Sequence, residues 1–173
     1  IPVVAEGEKV INEPIVVGDK EWQMTCVSMG NPHAVVFVDD VKAFPLEKYG
    51  PLFENHERFP KRTNTEFVKV VSKDEAYMRV WERGSAETWA CGTGTCATVV
   101  ACILNGLTDR KVLVHLLGGD LVIEWDEETN HVFICGDFNM SPYEEGMVCS
   151  KGFHSIMDAN VTKEYPSRTV NNK

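Results

Sequence analysis

Three observations predict an α+β domain in which a mixed or antiparallel sheet packs on one buried helix. Short runs rich in Val, Phe and Met recur along the chain and end at Gly, Pro or Asn turns. One stretch, GTGTCATVVACILNG, is small and apolar nearly all round, so a helix made from it must be buried. The strand-like runs do not alternate regularly with helices, which argues against a doubly wound α/β sheet. The chain has 173 residues, 43% hydrophobic and 25% charged, enough for one domain with a real core.

The elements follow in order. Residues 1–20 read as extended pieces broken by Pro and Gly. EWQMTCVSMG and HAVVFVDD are of strand length, separated by the turn residues Gly30, Asn31 and Pro32. PLEKYGPLFENH places Leu46, Tyr49, Leu52 and Phe53 at helical spacing with Pro45 at its start, and Gly50 and Pro51 are expected to break or kink it. NTEFVKVVSKDEAYMRVWERG reads as two strands joined at Ser72, Lys73 and Asp74. The apolar helix should begin near Thr93 and stop at Asn105-Gly106. Three strands follow, with turns at Gly118-Gly119 and around Glu127 to Asn130. The domain therefore spans 21–148. Residues 149–173 have no sustained period and end polar, so the sequence predicts a poorly ordered or partly docked tail.

Charge and composition exclude several classes. A net charge of −9 with no basic run is a poor match for nucleic acid or for an anionic membrane surface. No apolar stretch approaches the length of a membrane span. The six cysteines show no CxxC pair and no His spacing typical of zinc, so no metal site is expected. Cys96 and Cys102 lie in the apolar helical stretch and read as small packed hydrophobes, which fits a reducing compartment.

Cys91 has a different setting. It stands just ahead of the helix, followed by Gly92, Thr93 and Gly94. The free N–H groups and dipole of a helix start favour negative charge, so a thiol there is expected to have a lowered pKa. Gly92 and Gly94 allow a ligand close to the backbone, and the same N–H groups would hold a carboxylate. Base and anion cradle together suit proton abstraction next to a carboxylate. A tight structural turn explains the same residues, and the segment alone leaves both readings open. A short dinucleotide-binding pattern also fits Gly92, Gly94 and Ala97, but the preceding strand ends too early and hairpins follow. Glu82-Arg83 alone reads as a surface ion pair, Asn31 and Asn64 as turn formers and His33 as a structural histidine. No HExxH, GxSxG or P-loop pattern occurs.

Together SMGNPHAVVFVDD, TNTEFVKV, RVWERGSAETWACGTGTCA and HLLGGDLVIEW, in this order across residues 20–136, resemble the C-terminal half of the diaminopimelate epimerase family. The resemblance implies a cofactor-independent, two-base isomerase that interconverts LL- and meso-diaminopimelate in lysine and cell-wall precursor synthesis. It implies two similar domains, each a sheet wrapped around a central helix, with the substrate carboxylate between two helix N-termini. One cysteine thiolate removes the α-proton and a second, as thiol, protonates the other face.

Carried over residue by residue, the resemblance makes Cys91 one catalytic cysteine, with Glu82 and His33 supporting the chemistry. Gly92 and Thr93 match the backbone donors to the α-carboxylate. Arg83, Asn31 and Asn64 match groups that bind the distal end of the substrate. The family's other cysteine sits in a CGNG-type motif of its N-terminal half, which has no match here. With a first residue that is not Met, the chain is expected to lack that N-terminal domain and to be inactive without it. A homodimer and a cytoplasmic setting, or the plastid stroma in a plant or alga, complete the expectation. The rival readings are another isomerase of the same fold, such as a proline racemase-like or phenazine-biosynthesis-like protein, and a non-catalytic fragment or binding domain.

Overall fold

The computed structural model describes residues 1–126, 128–129, 131–136 and 154–158. Its first hairpin joins β1 (Glu13–Val17) to β2 (Lys20–Ser28) through Gly18-Asp19, with Gly18 at φ 66° as a two-residue turn requires. The Met29-Gly30-Asn31 turn leads into β3 (Pro32–Phe37), antiparallel to β2. A crossover carrying helix α1 (Leu46–Glu54) then delivers β4 (Asn64–Val70) parallel to β3. β5 (Glu75–Glu82) returns antiparallel to β4, and the short β6 (Ala86–Thr88) folds back on its end. Helix α2 (Gly92–Leu104) forms the second crossover, to β7 (Lys111–Leu116), parallel to β5. β8 (Gly119–Trp125), β9 (His131–Gly136) and β10 (His154–Asp158) extend the sheet as an antiparallel meander.

The sheet is mixed, and it curls. Strands β2, β3, β4 and β5 of its first part and β8 and β9 of its second all touch α2. The predicted α+β class and the sheet wrapped around a buried helix are therefore both present. The tail expectation for 149–173 falls outside the described residues, apart from the backbone of β10.

Each crossover places its helix on a different face. On the outer face Tyr49 and Phe53 of α1 pack with Trp22, Phe44 and Phe67, with Trp22 edge-on to both α1 rings and Phe44 stacked on Phe67 at 4.2 Å. On the inner face α2 packs with Val27, Val35, Val68, Met78, Val80, Val114, Ile123 and Ile134. Because β4 lies between both layers, Phe67 points outward while Glu66 and Val68 point toward α2.

Two local expectations need correction. Gly50 and Pro51 do not break α1, which runs through both. Gly50 is there for space: a Cβ would come 2.4 Å from the Trp81 ring. The apolar helix begins at Gly92, one residue before the expected start, because Cys91 itself is the N-cap. Its end is as read, with Asn105 at the C-cap and Gly106 at φ 68°.

Candidate active site

The residues of interest reach the start of α2 from three segments: the turn before β3, the start of β4 and the end of β5. Cys91 adopts an extended backbone (φ −137°, ψ 104°), and its sulfur accepts from the Gly94 N–H at 3.4 Å. Its carbonyl takes the Thr95 N–H at 2.8 Å and the Thr95 hydroxyl at 2.7 Å. The side chain thus does the work usually given to a Ser or Asp cap. The N–H groups of Gly92 and Thr93 lie in the first turn, where a helix offers no internal acceptor.

From the sulfur a polar chain runs into the protein. The Thr93 hydroxyl lies 3.6 Å from Cys91 Sγ. Asn31 Nδ2 donates to Thr93 Oγ1 at 3.2 Å, and Asn31 Oδ1 lies 2.9 Å from His33 Nε2. His33 Nδ1 lies 2.7 Å from Glu66 Oε1, and both side chains have 0% exposure. Register explains the assembly. Asn31, in the turn just before β3, and His33, two residues on within it, meet through the Asn31 amide, and parallel pairing sets His33 beside Asn64, two residues before Glu66.

Glu82 ends β5 and accepts from the Thr88 hydroxyl. Asn64 donates to the Pro32 carbonyl at 3.0 Å and accepts from the Arg83 N–H at 2.8 Å, tying β3 to the end of β5. The Arg83 guanidinium is exposed and donates to the Lys61 carbonyl at 3.1 Å. The structure therefore brings Cys91, Thr93, Asn31 and His33 into one chain, sets Glu82 where its charge acts on Cys91, and leaves the Arg83 side chain on the outside.

The expected lowering of the Cys91 pKa is reversed. Burial, then the carboxylates of Glu66 and Glu82, push the thiol up to about 12, against smaller opposing effects of the Thr93 and Gly94 hydrogen bonds. The helix start is real, but desolvation and two like charges outweigh it. Cys96 and Cys102 are raised as well, by burial first. Cys91 differs from Cys96 in its donors, the Thr93 hydroxyl and the Gly94 N–H, which act against the rise.

Glu66 escaped the sequence reading. Its signal was a carboxylate inside TEFVKV, a strand otherwise fit for burial on both faces. Its own pKa is raised by burial, with His33 acting in the opposite direction. Gly94 makes room for it, since a Cβ there would stand 2.6 Å from Glu66 Oε1 and 3.1 Å from Cys91 Sγ. Among the described residues no group of three or more His, Cys, Asp or Glu is arranged to hold a metal ion. Nor is any helix among them long and apolar enough to cross a membrane.

A sheet curled around a helix whose N-terminus carries a capped thiol and a buried polar wall defines a class with known relatives. The fold is shared with the crystal structure of a hydroxyproline epimerase from Agrobacterium vitis with bound trans-4-hydroxy-L-proline, at TM-score 0.52 and 13% identity over 67% of this chain and 41% of that one. The diaminopimelate epimerase family profile matches residues 25–143, and the chain belongs to that family. A diaminopimelate epimerase of Agathobacter rectalis is 73% identical over 143 residues, 79% of this chain and 50% of the relative. One from Methanococcus maripaludis is 55% identical over 79% of this chain and 49% of its own length. The chain thus spans about half the length of these relatives.

Proposed function

We propose that this chain supplies one of two acid–base thiols, Cys91, for cofactor-independent epimerisation of diaminopimelate between its LL and meso forms. The observation that carries the reading is Cys91 as the cap of α2, its sulfur beside the first-turn N–H groups. A substrate α-carboxylate on the Gly92 and Thr93 N–H groups would bring its α-carbon to that sulfur. The thiolate takes the α-proton: a C–H bond breaks, an S–H bond forms, and the electron pair stays on the α-carbon and spreads into the carboxylate. The helix N-terminus stabilises that charge as it develops. A second thiol on the opposite face, from a segment equivalent to the other half of the relatives, returns a proton to carbon.

A thiol whose pKa lies near 12 is a poor base at neutral pH. Substrate binding that brings further donors to the sulfur would favour its ionisation. Asn31 and Asn64 stand within the same wall, and Arg83 approaches from outside it, as residues for the distal amino acid group of the substrate.

Deuterium uptake at the α-carbon of meso-diaminopimelate in D₂O tests the reading, with and without an added N-terminal half from a full-length relative. Uptake that needs the added half and disappears in Cys91→Ala supports a two-thiol site. No uptake with both halves folded and substrate bound would leave a family domain without the activity. Uptake from hydroxyproline but not diaminopimelate would move the substrate class.

A further inference from the structure

We propose that Glu66 is a positioning residue for Cys91: it fixes the His33 ring and, through Asn31, turns the Thr93 hydroxyl hydrogen toward the Cys91 sulfur. The inference rests on the reading of Cys91 as the acid–base thiol and names a residue that reading does not use.

The argument is one of hydrogen-bond direction. Asn31 Nδ2 donates to Thr93 Oγ1, so the Thr93 hydrogen is free for another acceptor, and Cys91 Sγ lies 3.6 Å away. The same amide presents Oδ1 to His33 Nε2 at 2.9 Å, so Nε2 must carry a hydrogen. His33 Nδ1, at 2.7 Å from Glu66 Oε1, then has two allowed states. Either the ring is imidazolium against a carboxylate, or Glu66 is a carboxylic acid donating to Nδ1. Both states hold two protons and no net charge on the pair, which suits two side chains with 0% exposure. Glu66 Oε2 has no partner among the described residues, which also favours a pair without net charge.

If Nδ1 loses its partner, the two-proton arrangement is lost. Without Glu66 nothing on Nδ1 biases the neutral ring toward the Nε2–H tautomer, and the tautomer with its hydrogen on Nδ1 makes Nε2 an acceptor. In that tautomer the Asn31 amide turns over, the Thr93 hydroxyl donates back to Asn31, and the sulfur loses a donor. No proton travels along the chain; orientation does. Charges acting directly on the sulfur come from Glu66 on β4 and Glu82 on β5, while α2 supplies Thr93 and Gly94 and β9 packs Ile134 beside Gly92. The direct charge of Glu66 opposes thiolate, so the two effects of this one residue have opposite signs and can be separated.

The test is iodoacetamide alkylation of Cys91 in the folded chain at pH 8, read by peptide mass spectrometry, with folding checked by circular dichroism. It needs no substrate, so failure here is distinct from failure of the deuterium experiment. Glu66→Met keeps the volume and removes the partner of Nδ1; alkylation is expected to slow about three- to tenfold, following the thiolate fraction. Glu66→Gln keeps a hydrogen bond to Nδ1 and is expected to stay within about twofold of the wild type. Asn31→Leu keeps all charges, breaks the chain at its middle and should slow the reaction as Glu66→Met does. Glu66→Met reacting faster than the wild type would leave only the direct charge effect and overturn the proposal. So would Asn31→Leu at the wild-type rate, and this variant decides the matter if Glu66→Met does not fold.

Discussion

Among the described residues two glutamates are buried, one on each side of the sheet, and they are treated differently. Glu54, at the end of α1, has 6% exposure and three donors: Arg62 and the Gly84 N–H on one oxygen, the Trp81 indole on the other. Glu66, facing the start of α2, has 0% exposure, His33 as partner of one oxygen and no partner for the second among the described residues. A fully satisfied buried carboxylate belongs to architecture. A half-satisfied one retains a desolvation cost that architecture alone does not require. The layers differ in the same way. Aromatic bulk fills the outer layer, whereas Gly, Cys, Ala and Thr around the start of α2 leave room beside polar groups.

The largest effect expected lies in the inner layer. Cys91→Ala, assayed in a complete enzyme, should reduce α-proton exchange by about 10²- to 10⁴-fold or more, the usual contribution of an acid–base group. Cys96→Ala, at 0% exposure and one turn farther along α2, should retain most activity. Equal loss from both would remove the distinction between a reactive thiol and a packed one.

Alkaline pH should come next. Burial is the first cause that raises Cys26, Cys91 and Cys102 from 9.0 to about 12. Below pH 9 folded and unfolded chains both keep these protons, and the stability is fully present. Above it the unfolded chain releases them first, so stability falls as pH rises toward 12, by up to about 1.4 kcal/mol per pH unit for each thiol. Urea unfolding at pH 8 and pH 10 measures this, and Cys102→Ala should flatten the slope. An unchanged midpoint in the wild type would contradict the burial of these thiols.

Much of this contrast was legible beforehand, and the limits have physical causes. The apolar helix was visible because residues 94–102 are all buried and so carry no polar face. Cys91 and its glycines stood out because a helix start is written locally. The parallel pairs β3–β4 and β5–β7 were not legible, since a crossover is decided by packing between distant segments. The three-residue β6 was hidden in polar ERGSAET, whose pairing with β5 depends on the turn at Gly84, φ 83°. The direction of the Cys91 pKa was misread for the same reason: a helix start is local, but burial and the charges of Glu66 and Glu82 arrive from other strands.

Two glycines make the layers directly comparable. A Cβ on Gly50 would meet the Trp81 ring at 2.4 Å, so Gly50→Ala should overpack the outer layer and cost about 1–3 kcal/mol of stability. Cys91 alkylation in the folded fraction should be unchanged. A Cβ on Gly94 would meet the Glu66 carboxylate and the Cys91 sulfur instead. Both glycines lie inside helices, so alanine regains about 1 kcal/mol of helix propensity at either, and the clash decides: three Trp81 ring atoms stand at 2.4, 2.6 and 2.6 Å at Gly50, but only one atom, a Glu66 oxygen at 2.6 Å, comes closer than 3 Å at Gly94. Gly94→Ala should therefore lose less stability than Gly50→Ala and more thiol reactivity. Denaturation midpoints and alkylation rates for the two variants check the crossing of these effects.

Glu54→Gln is expected to have the smallest effect, and it returns the comparison to its starting point. Glutamine keeps one acceptor oxygen but sets an NH₂ against groups that all donate: Arg62, the Gly84 N–H and the Trp81 indole. At least one of them loses its acceptor, at a cost of about 1–2 kcal/mol. Arg62 is half exposed and can turn to water, which keeps the cost toward the lower end. Nothing in that set touches Cys91, so alkylation of the folded chain should match the wild type. If Glu54→Gln altered thiol reactivity as strongly as Glu66→Met, the two carboxylates would not be divided between architecture and site, and the sheet would be transmitting changes from its outer layer to the start of α2.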